Sequence, residues 1–315
     1  LSGLAGSEMC IRDSFNAAVS FEQVYKLDYA ISMYEAVITY RPDSELVADT
    51  MFGLAQTYHR IAMYEQAADL YERYARKYPR GEHVVNALAN AYQFRQGLGQ
   101  YDKAIEDLRG FVRSSNERDA DQRRGIAEAN YQIAAIQEER GQKAEAVATL
   151  DRFIRTDGSV LPGRVVEAYV KIADLQASLP RPGDKPAQSY AKAREFFAGL
   201  DDGTREKLSA SARDAASKAY FMAGQEVFRR FEAIPVKGTT EEIFAAIAKK
   251  AGIAAEAATA FNQVIAIKRP EWSIAAYDRI GRMAQAFYTE IVDAPLPPGL
   301  SIIEEDAYRN KVAEL

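Results

Sequence analysis

The chain has 315 residues, of which 48% are hydrophobic and 27% are charged, and its formal net charge at pH 7 is −5. This composition is typical of a globular or repeat protein, and the mild charge without a basic stripe argues against a nucleic-acid-binding protein. The single cysteine, Cys10, excludes an intrachain disulfide, and no apolar run approaches the roughly 18 residues that a membrane-spanning helix needs.

The first segment of the chain does not resemble the rest. Residues 1–14 read LSGLAGSEMCIRDS, and SEMCIRDS is typical of linker sequence at the edges of reading frames assembled from environmental reads. We therefore expect residues 1–14 to be a non-native or disordered leader. The alternative is a lipoprotein signal, which requires a small residue before Cys10, where this chain has Met9. The last residues stop inside a helical pattern, so we expect both ends to be truncated.

A short pattern recurs along most of the chain. Residues 27–42 (LDYAISMYEAVITYRP) and 64–79 (YEQAADLYERYARKYP) share an alanine, large residues four and seven positions later, and a final proline. This spacing places three side chains on one face of a helix. The six copies are Ala30/Tyr34/Val37, Ala67/Tyr71/Tyr74, Ala104/Leu108/Phe111, Ala146/Leu150/Phe153, Ala193/Phe197/Leu200 and Ala257/Phe261/Val264. We predict that each alanine lies where a neighbouring helix approaches closely.

A second pattern precedes five of these six helices, and a further copy follows the last, so a unit reads as two antiparallel helices joined by a short turn. It has a large residue followed three positions later by an apolar–small pair. The copies are Met51/Leu54–Ala55, Val85/Leu88–Ala89, Asn130/Ile133–Ala134, Tyr169/Ile172–Ala173, Tyr220/Ala223–Gly224 and Tyr277/Ile280–Gly281. The spacing predicts three extra residues between the two helices of the third unit. Near the end, Thr239 or Thr240 can cap a long helix over 241–268, with Glu242 close behind.

The two patterns together resemble the tetratricopeptide repeat, whose 34-residue unit carries these residue types at similar offsets. The resemblance implies an all-α fold, a right-handed superhelical solenoid of antiparallel helix pairs with about six to seven degenerate repeats. It implies an array of five helix pairs over residues 15–200, followed by degenerate helical repeats and a truncated C-terminal helix over 201–315. No unit has the Trp of the consensus pattern, and Trp272 reads either as packing or as a binding anchor.

The segment 290–315, EIVDAPLPPGLSIIEEDAYRNKVAEL, points to a narrower group. Its Pro-Pro-Gly-Leu turn before an acidic helix resembles the C-terminal part of tetratricopeptide proteins of myxobacteria and related delta-proteobacteria. Some of those proteins are linked to the cell envelope and to gliding motility. This resemblance implies a periplasmic or outer-membrane-associated location, with a cytoplasmic location as the alternative.

The sequence lacks patterns that would indicate catalysis or metal binding. Neither His59 nor His83 has a second ligand at a metal-binding spacing, and Gly97-Leu-Gly99 reads as a turn because Asp102 stands where a third glycine belongs. There is no P-loop and no nucleophile motif. We therefore expect no cofactor, no metal and no enzymatic activity.

The candidate site is the surface formed by the first helices of the units, because repeat proteins bind extended partners there. Side chains between the packing positions should line this groove. They are Asp49, Phe52, Gln56, His59, His83, Asn86, Asn90, Gln93, Tyr131 and Glu138. The residues lack the Lys and Arg partners that a clamp for a peptide carboxylate would need, so they favour an extended peptide or a helix.

These observations lead to three functional hypotheses. The first is a non-enzymatic protein–protein interaction scaffold in a bacterial cell-envelope or motility complex. The alternatives are the regulatory or substrate-docking arm of a larger enzyme and an outer-membrane assembly factor.

Overall fold

The computed structural model describes residues 8–180, 183–292, 301–303 and 305–306. Within these ranges the chain is all-helical, with no strand. The helices are α1 (Glu8–Gln23), α2 (Leu27–Tyr40), α3 (Val47–Arg60), α4 (Tyr64–Lys77), α5 (Val84–Gly97), α6 (Tyr101–Ser114), α7 (Ala120–Glu139), α8 (Lys143–Thr156), α9 (Pro162–Ala177), α10 (Lys185–Gly199), α11 (Asp202–Glu206), α12 (Ala210–Glu232), α13 (Thr240–Ala266) and α14 (Pro270–Val292).

The chain divides into two compact units, Leu1–Leu161 and Pro162–Leu315. In the first unit α1 to α8 form four consecutive antiparallel pairs, and each helix packs against the next one along the chain. In the second unit α9 pairs with α10, α12 pairs with α13, and α14 packs on α13. The predicted array of antiparallel helix pairs is thus present, and the structural boundary falls at 161/162, whereas the sequence patterns placed one at 200/201.

The recurring alanines lie at the helix contacts, as predicted. Ala30, Ala67, Ala104, Ala146, Ala193 and Ala257 all have 0% exposure. Ten of the twelve large residues that follow are buried too, for example Tyr34 and Tyr71 at 2% and 0%, whereas Phe111 and Leu200 are half-buried. A side chain as small as alanine lets two helices approach closely, and the large neighbours then fill the space on either side.

At two helices the second sequence pattern, a large residue followed by an apolar–small pair, predicts the wrong buried positions. In α5 the buried side chains are Val84, Ala87, Leu88 and Ala91, whereas the predicted Val85 and Ala89 are only half-buried. In α14 the buried residues are Ala276 and Met283, and Tyr277 is 60% exposed. Both helices carry apolar side chains on more than one face, so the pattern alone fits two rotations of the helix.

The turns inside the four pairs of the first compact unit are uniform in length, which corrects the predicted insertion in the third repeat. Three residues, 98–100, join α5 to α6, and three residues, 61–63, also join α3 to α4. The residues beyond the 34-residue period therefore lie between successive helix pairs, in the six-residue connections 41–46 and 78–83. The middle residue of five such turns has a positive φ: Tyr25, Ala62, Gly99, Gly141 and Lys268.

Helix α13, the longest helix described in the second unit, begins with a capping box. The side chain of Thr239 accepts a hydrogen bond from the backbone N–H of Glu242, and the Glu242 carboxylate accepts one from the backbone N–H of Thr239. This arrangement satisfies two backbone donors that a helix start leaves open. It confirms the predicted cap at Thr239 and a helix that runs from Thr240 to Ala266. Trp272 packs against Phe221 in the core of this unit, with 5.5 Å between the ring centroids.

Two predicted segments are covered only in part. Helix α1 begins at Glu8, inside the predicted leader, and Ile11 is 4% exposed within the first core cluster. The Pro-Pro-Gly-Leu turn, residues 297–300, lies outside the described residues. No helix among the described residues is long and apolar enough to span a bilayer.

Candidate functional site

The first helices of the second and third pairs, α3 and α5, lie side by side and touch through aromatic rings near both ends. At one end the Phe52 ring stacks on the His83 imidazole, with 4.4 Å between the centroids. At the other end the His59 imidazole meets the edge of the Phe94 ring at 4.7 Å. The two predicted groove histidines thus each contact an aromatic ring across the same interhelical seam. We call the surface over this seam the α3/α5 face.

Exposed polar side chains accompany these ring contacts on the α3/α5 face. Gln56 on α3 and Asn86 and Gln93 on α5 lie between the contacts, and Asp49 lies about one turn before Phe52. Amide side chains offer both a donor and an acceptor. These four predicted positions therefore lie where a partner's backbone could reach them.

A buried tyrosine lies beneath the centre of the face. The Tyr71 side chain has 0% exposure, and its hydroxyl has no hydrogen-bond partner among the described residues. Burial raises the pKa of Tyr71 to about 12, and the neighbouring Asn90 and Arg60 oppose that rise. Asn90 is half-buried, so this predicted groove residue contributes less open surface than Asn86.

His83 is held in place by the helix behind it. The backbone N–H of His83 donates to the Tyr74 hydroxyl at 3.2 Å, and the Tyr74 ring lies 5.8 Å from the Phe52 ring. Burial raises the pKa of Tyr74, and the negative charge of Asp49 adds to that rise. The stacked pair of Phe52 and His83 therefore rests on a side chain that is itself fixed in the core.

The two predicted positions on α7 differ from the others. Tyr131 is 6% exposed, and its ring packs on the Phe153 ring at 5.6 Å, inside the α7/α8 pair. Its placement on an open groove is wrong, because the helix turns this residue toward its own partner helix. Glu138 is half-buried near the end of α7. The candidate site therefore centres on α3 and α5.

Sequence reasoning missed two rings that belong to the α3/α5 face. The Tyr64 ring lies 5.2 Å from Phe94 and 6.2 Å from His59, and Tyr64 is 43% exposed. Phe94 follows Asn90 by four positions, so helical spacing could have placed it on the same face. No sequence signal marked Tyr64, because it opens the second helix of its pair.

A fully buried arginine fixes the end of α5 below these rings. Arg95 has 0% exposure and donates to the Glu72 carboxylate at 2.5 Å, to the Gln100 side chain at 2.6 Å and to Asp69. A buried charge is tolerated only when it is paired and hydrogen-bonded in this way. The network ties α5 to α4 and to the turn before α6, which holds Phe94 in a fixed position.

The side chains of the α3/α5 face are of types that bind a partner by packing and hydrogen bonding. Among the described residues there is no group of three or more His, Cys, Asp or Glu side chains placed to hold a metal ion. What the face offers is aromatic and imidazole rings at two ends with exposed amides between them. Such a surface can bury apolar side chains and hydrogen-bond to a peptide backbone.

The tetratricopeptide repeat family model matches two segments of the chain, residues 49–80 and 128–157. The first match covers most of the α3/α4 pair, and the second covers the end of α7 and all of α8. Within the described residues the chain is thus all-helical, and two of its segments match the tetratricopeptide repeat, a kind of repeat whose surfaces commonly bind other proteins.

Solved structures with similar folds include other repeat proteins. The MamA protein shares 18% identity over 63% of this chain and 96% of its own, with a TM-score of 0.41. YrrB, described as a tetratricopeptide protein with an unusual peptide-binding site, shares 20% over 59% and 86%, with a TM-score of 0.38. A tetratricopeptide repeat protein from Parabacteroides merdae shares 14% over 87% and 98%, with a TM-score of 0.42. No curated protein matches the sequence.

Proposed function

We propose that the protein is a non-enzymatic protein–protein interaction scaffold of a bacterial cell-envelope or motility complex, and that its α3/α5 face binds an extended peptide or a helix of the partner. The observation that carries the binding surface is the pair of ring contacts, Phe52 with His83 and His59 with Phe94. The envelope location is supported by the resemblance of segment 290–315 and places the partner in the periplasm or at the outer membrane.

The spacing of the two ring contacts fits a short linear segment. Phe52 and His59 are seven positions apart on α3, which corresponds to about 10 Å along a helix axis. An extended peptide covers that distance with about three residues, and a helix covers it with about seven. Two apolar side chains at either spacing would each meet one ring pair. The backbone between them would lie over the amides of Gln56 and Asn86.

The peptide proposal can be tested by selection from a random-peptide library followed by affinity measurement on exposed-site variants. Gln56→Arg and Asn86→Arg place a long charged side chain on the face without disturbing a buried residue. We expect each to weaken the selected peptides about tenfold or more, because they block the strip between the rings. Gln66→Arg, an exposed residue of α4, is the matched control and should bind as the wild type does. Equal affinities for all three variants would contradict the assignment of the face.

The location can be tested with the same variants. Immobilised protein would be incubated with the envelope and cytosolic fractions of a myxobacterium. We expect Gln56→Arg to abolish capture of an envelope protein that the wild type and Gln66→Arg retain. Capture that depends on the face but comes only from the cytosolic fraction would overturn the envelope assignment and leave the peptide site standing.

A further inference from the structure

A cavity of about 500 Å³ in the second unit has the chemistry of an anion site. Its apolar floor includes the rings of Phe197 and Tyr220, which meet edge to face at 6.3 Å between centroids, and Ile267 from the turn after α13. Arg205 from α11 and Arg213 from α12 line its walls. The helix α11 lies outside the helix pairs, so this cavity is separate in construction from the α3/α5 face.

Arg213 in this cavity and Arg194 nearby have unused donor capacity. Arg205 has less, because its Nε donates to the Leu200 carbonyl and its guanidinium group pairs with Asp202. The Nε atoms of Arg213 and Arg194 are buried, and neither has a hydrogen-bond partner among the described residues. A buried N–H without an acceptor costs free energy that a bound acceptor would recover. Arg194 is close enough for its charge to lower the pKa of Tyr220, against the rise that burial causes, and Arg205 does the same.

The charges around the cavity leave a positive excess. Lys268 is a third cation beside Arg205 and Arg213. These three cationic side chains line the cavity together with two carboxylates, Asp202 and Glu206. Asp202 pairs with Arg205 at 3.2 Å and is 93% exposed, which leaves it mainly to solvent. Asp214, which follows Arg213 in the chain, is already engaged by Arg269 in two hydrogen bonds of 2.6 and 2.9 Å.

We propose that this cavity binds an oxyanion, a carboxylate or phosphate group of a ligand, through the guanidinium groups of Arg205 and Arg213. Guanidinium groups present planar pairs of donors that match the oxygens of both groups. The rings of Phe197 and Tyr220 would contact the apolar part of the ligand next to its charged end. The Asp202 and Glu206 carboxylates at the rim repel a highly charged ligand. We therefore expect a singly charged carboxylate ligand to bind more tightly than phosphate.

The test is a titration of the full chain followed through the arginine Nε–Hε resonances in NMR spectra at constant ionic strength. The probes are N-acetylglycine, its neutral amide and inorganic phosphate. We expect saturable shifts of the Arg213 signal with N-acetylglycine, weaker ones with phosphate and none with the amide. Arg213→Gln should weaken N-acetylglycine about tenfold. Lys268→Gln, an exposed change that leaves the cavity arginines intact, should weaken it about twofold to threefold.

Arg282→Gln removes the same charge from an exposed pair with Asp278 on α14 and should leave the affinity unchanged. If neither N-acetylglycine nor phosphate gives a saturable shift, or if Arg282→Gln weakens binding as much as Arg213→Gln does, the site is overturned. Stronger binding of phosphate than of N-acetylglycine would assign the site to phosphate groups.

Discussion

At the scale of single residues, Asp107 on α6 makes the stability of the fold depend on pH. Asp107 is 4% exposed, and its Oδ2 atom has no hydrogen-bond partner among the described residues. Burial raises the pKa of this carboxyl from 3.8 to about 8, and Glu72 adds to that rise while Arg95 opposes it. The folded protein therefore carries Asp107 in its neutral form at pH 7, next to the charged Arg95 network.

The sign of the effect follows from proton binding. Between pH 4 and pH 8 the folded state holds a proton on Asp107 that the unfolded chain has lost, so the free energy of unfolding falls as pH rises through this window. The largest slope is about 1.4 kcal/mol per pH unit. We expect Asp107→Asn to flatten this dependence, as measured by urea denaturation at pH 5 and pH 7. The exposed Asp43→Asn should retain the wild-type slope, and an unchanged slope in Asp107→Asn would contradict the neutral carboxyl.

The middle residue of the three-residue turns also affects the stability of the fold, through its backbone conformation. Ala62 and Gly99 occupy the same turn position with φ of 61° and 71°. A left-handed conformation strains alanine but not glycine. We expect Gly99→Ala to lower the free energy of unfolding by about 1 kcal/mol, and Ala62→Gly to raise it by up to about 1 kcal/mol.

Gly97, two residues before Gly99, is a matched control for this turn. It has no positive φ, and a Cβ added there would meet nothing within 4 Å. Thermal melts of all three variants measure these effects, and Gly97→Ala should stabilise the protein. If Gly97→Ala and Gly99→Ala changed stability equally, the turn conformation would not be the cause.

At the scale of the helices, the faces of α3 and α4 can be separated by substitution. Ala67 has 0% exposure at a helix contact, whereas Gln56 is exposed on the α3/α5 face. We expect Ala67→Leu to overpack the contact and to cost about 1–3 kcal/mol. Gln56→Ala should change the free energy of unfolding by less than about 0.5 kcal/mol. If thermal melts show a large loss of stability for Gln56→Ala and a small one for Ala67→Leu, the assignment of buried and open faces is wrong.

The contact between α12 and α13 depends on a glycine. A Cβ added at Gly224 would lie 2.6 Å from the Phe261 ring, which has 0% exposure and cannot move freely. We expect Gly224→Ala to cost about 1–3 kcal/mol through this overlap. The control is Gly252→Ala on α13, where nothing lies within 4 Å and where alanine should stabilise the helix by about 0.5–1 kcal/mol. Urea denaturation of both variants distinguishes overlap from a general effect of replacing glycine.

The sequence could predict the second helix of each pair better than the first. Helices such as α4 have one apolar face with charged residues on the other, so the triplet beginning at Ala67 admits one rotation. Helix α5 also carries Val85, Ala89 and Tyr92 beside its buried positions, and only packing against α4 and α6 selects its rotation. Arg95 reads as a surface residue until Asp69, Glu72 and Gln100 surround it. For the same reason Tyr131, a plausible groove residue by spacing, proved to be buried.

At the scale of the whole chain, each compact unit has its own core. The clusters around Tyr34, Tyr71 and Leu108 lie within the first unit, and those around Phe197, Ala193 and Phe261 lie within the second. In a stacked helical array, stability comes mainly from the contacts between neighbouring helices. Four consecutive pairs should therefore supply enough buried surface for the first unit to fold alone.

We expect residues 1–161, produced as a separate polypeptide, to be helical by circular dichroism and to unfold cooperatively in urea. Because the environment of Ala67 is complete within this unit, Ala67→Leu should cost the same free energy in the polypeptide as in the full chain, within about 0.5 kcal/mol. Peptides selected on the α3/α5 face should also bind it with unchanged affinity, since every ring of that face lies between Phe52 and Phe94. Gradual unfolding in urea without cooperativity would show that the first unit requires residues beyond 161. Loss of peptide binding by a cooperatively folded polypeptide would place the binding surface elsewhere.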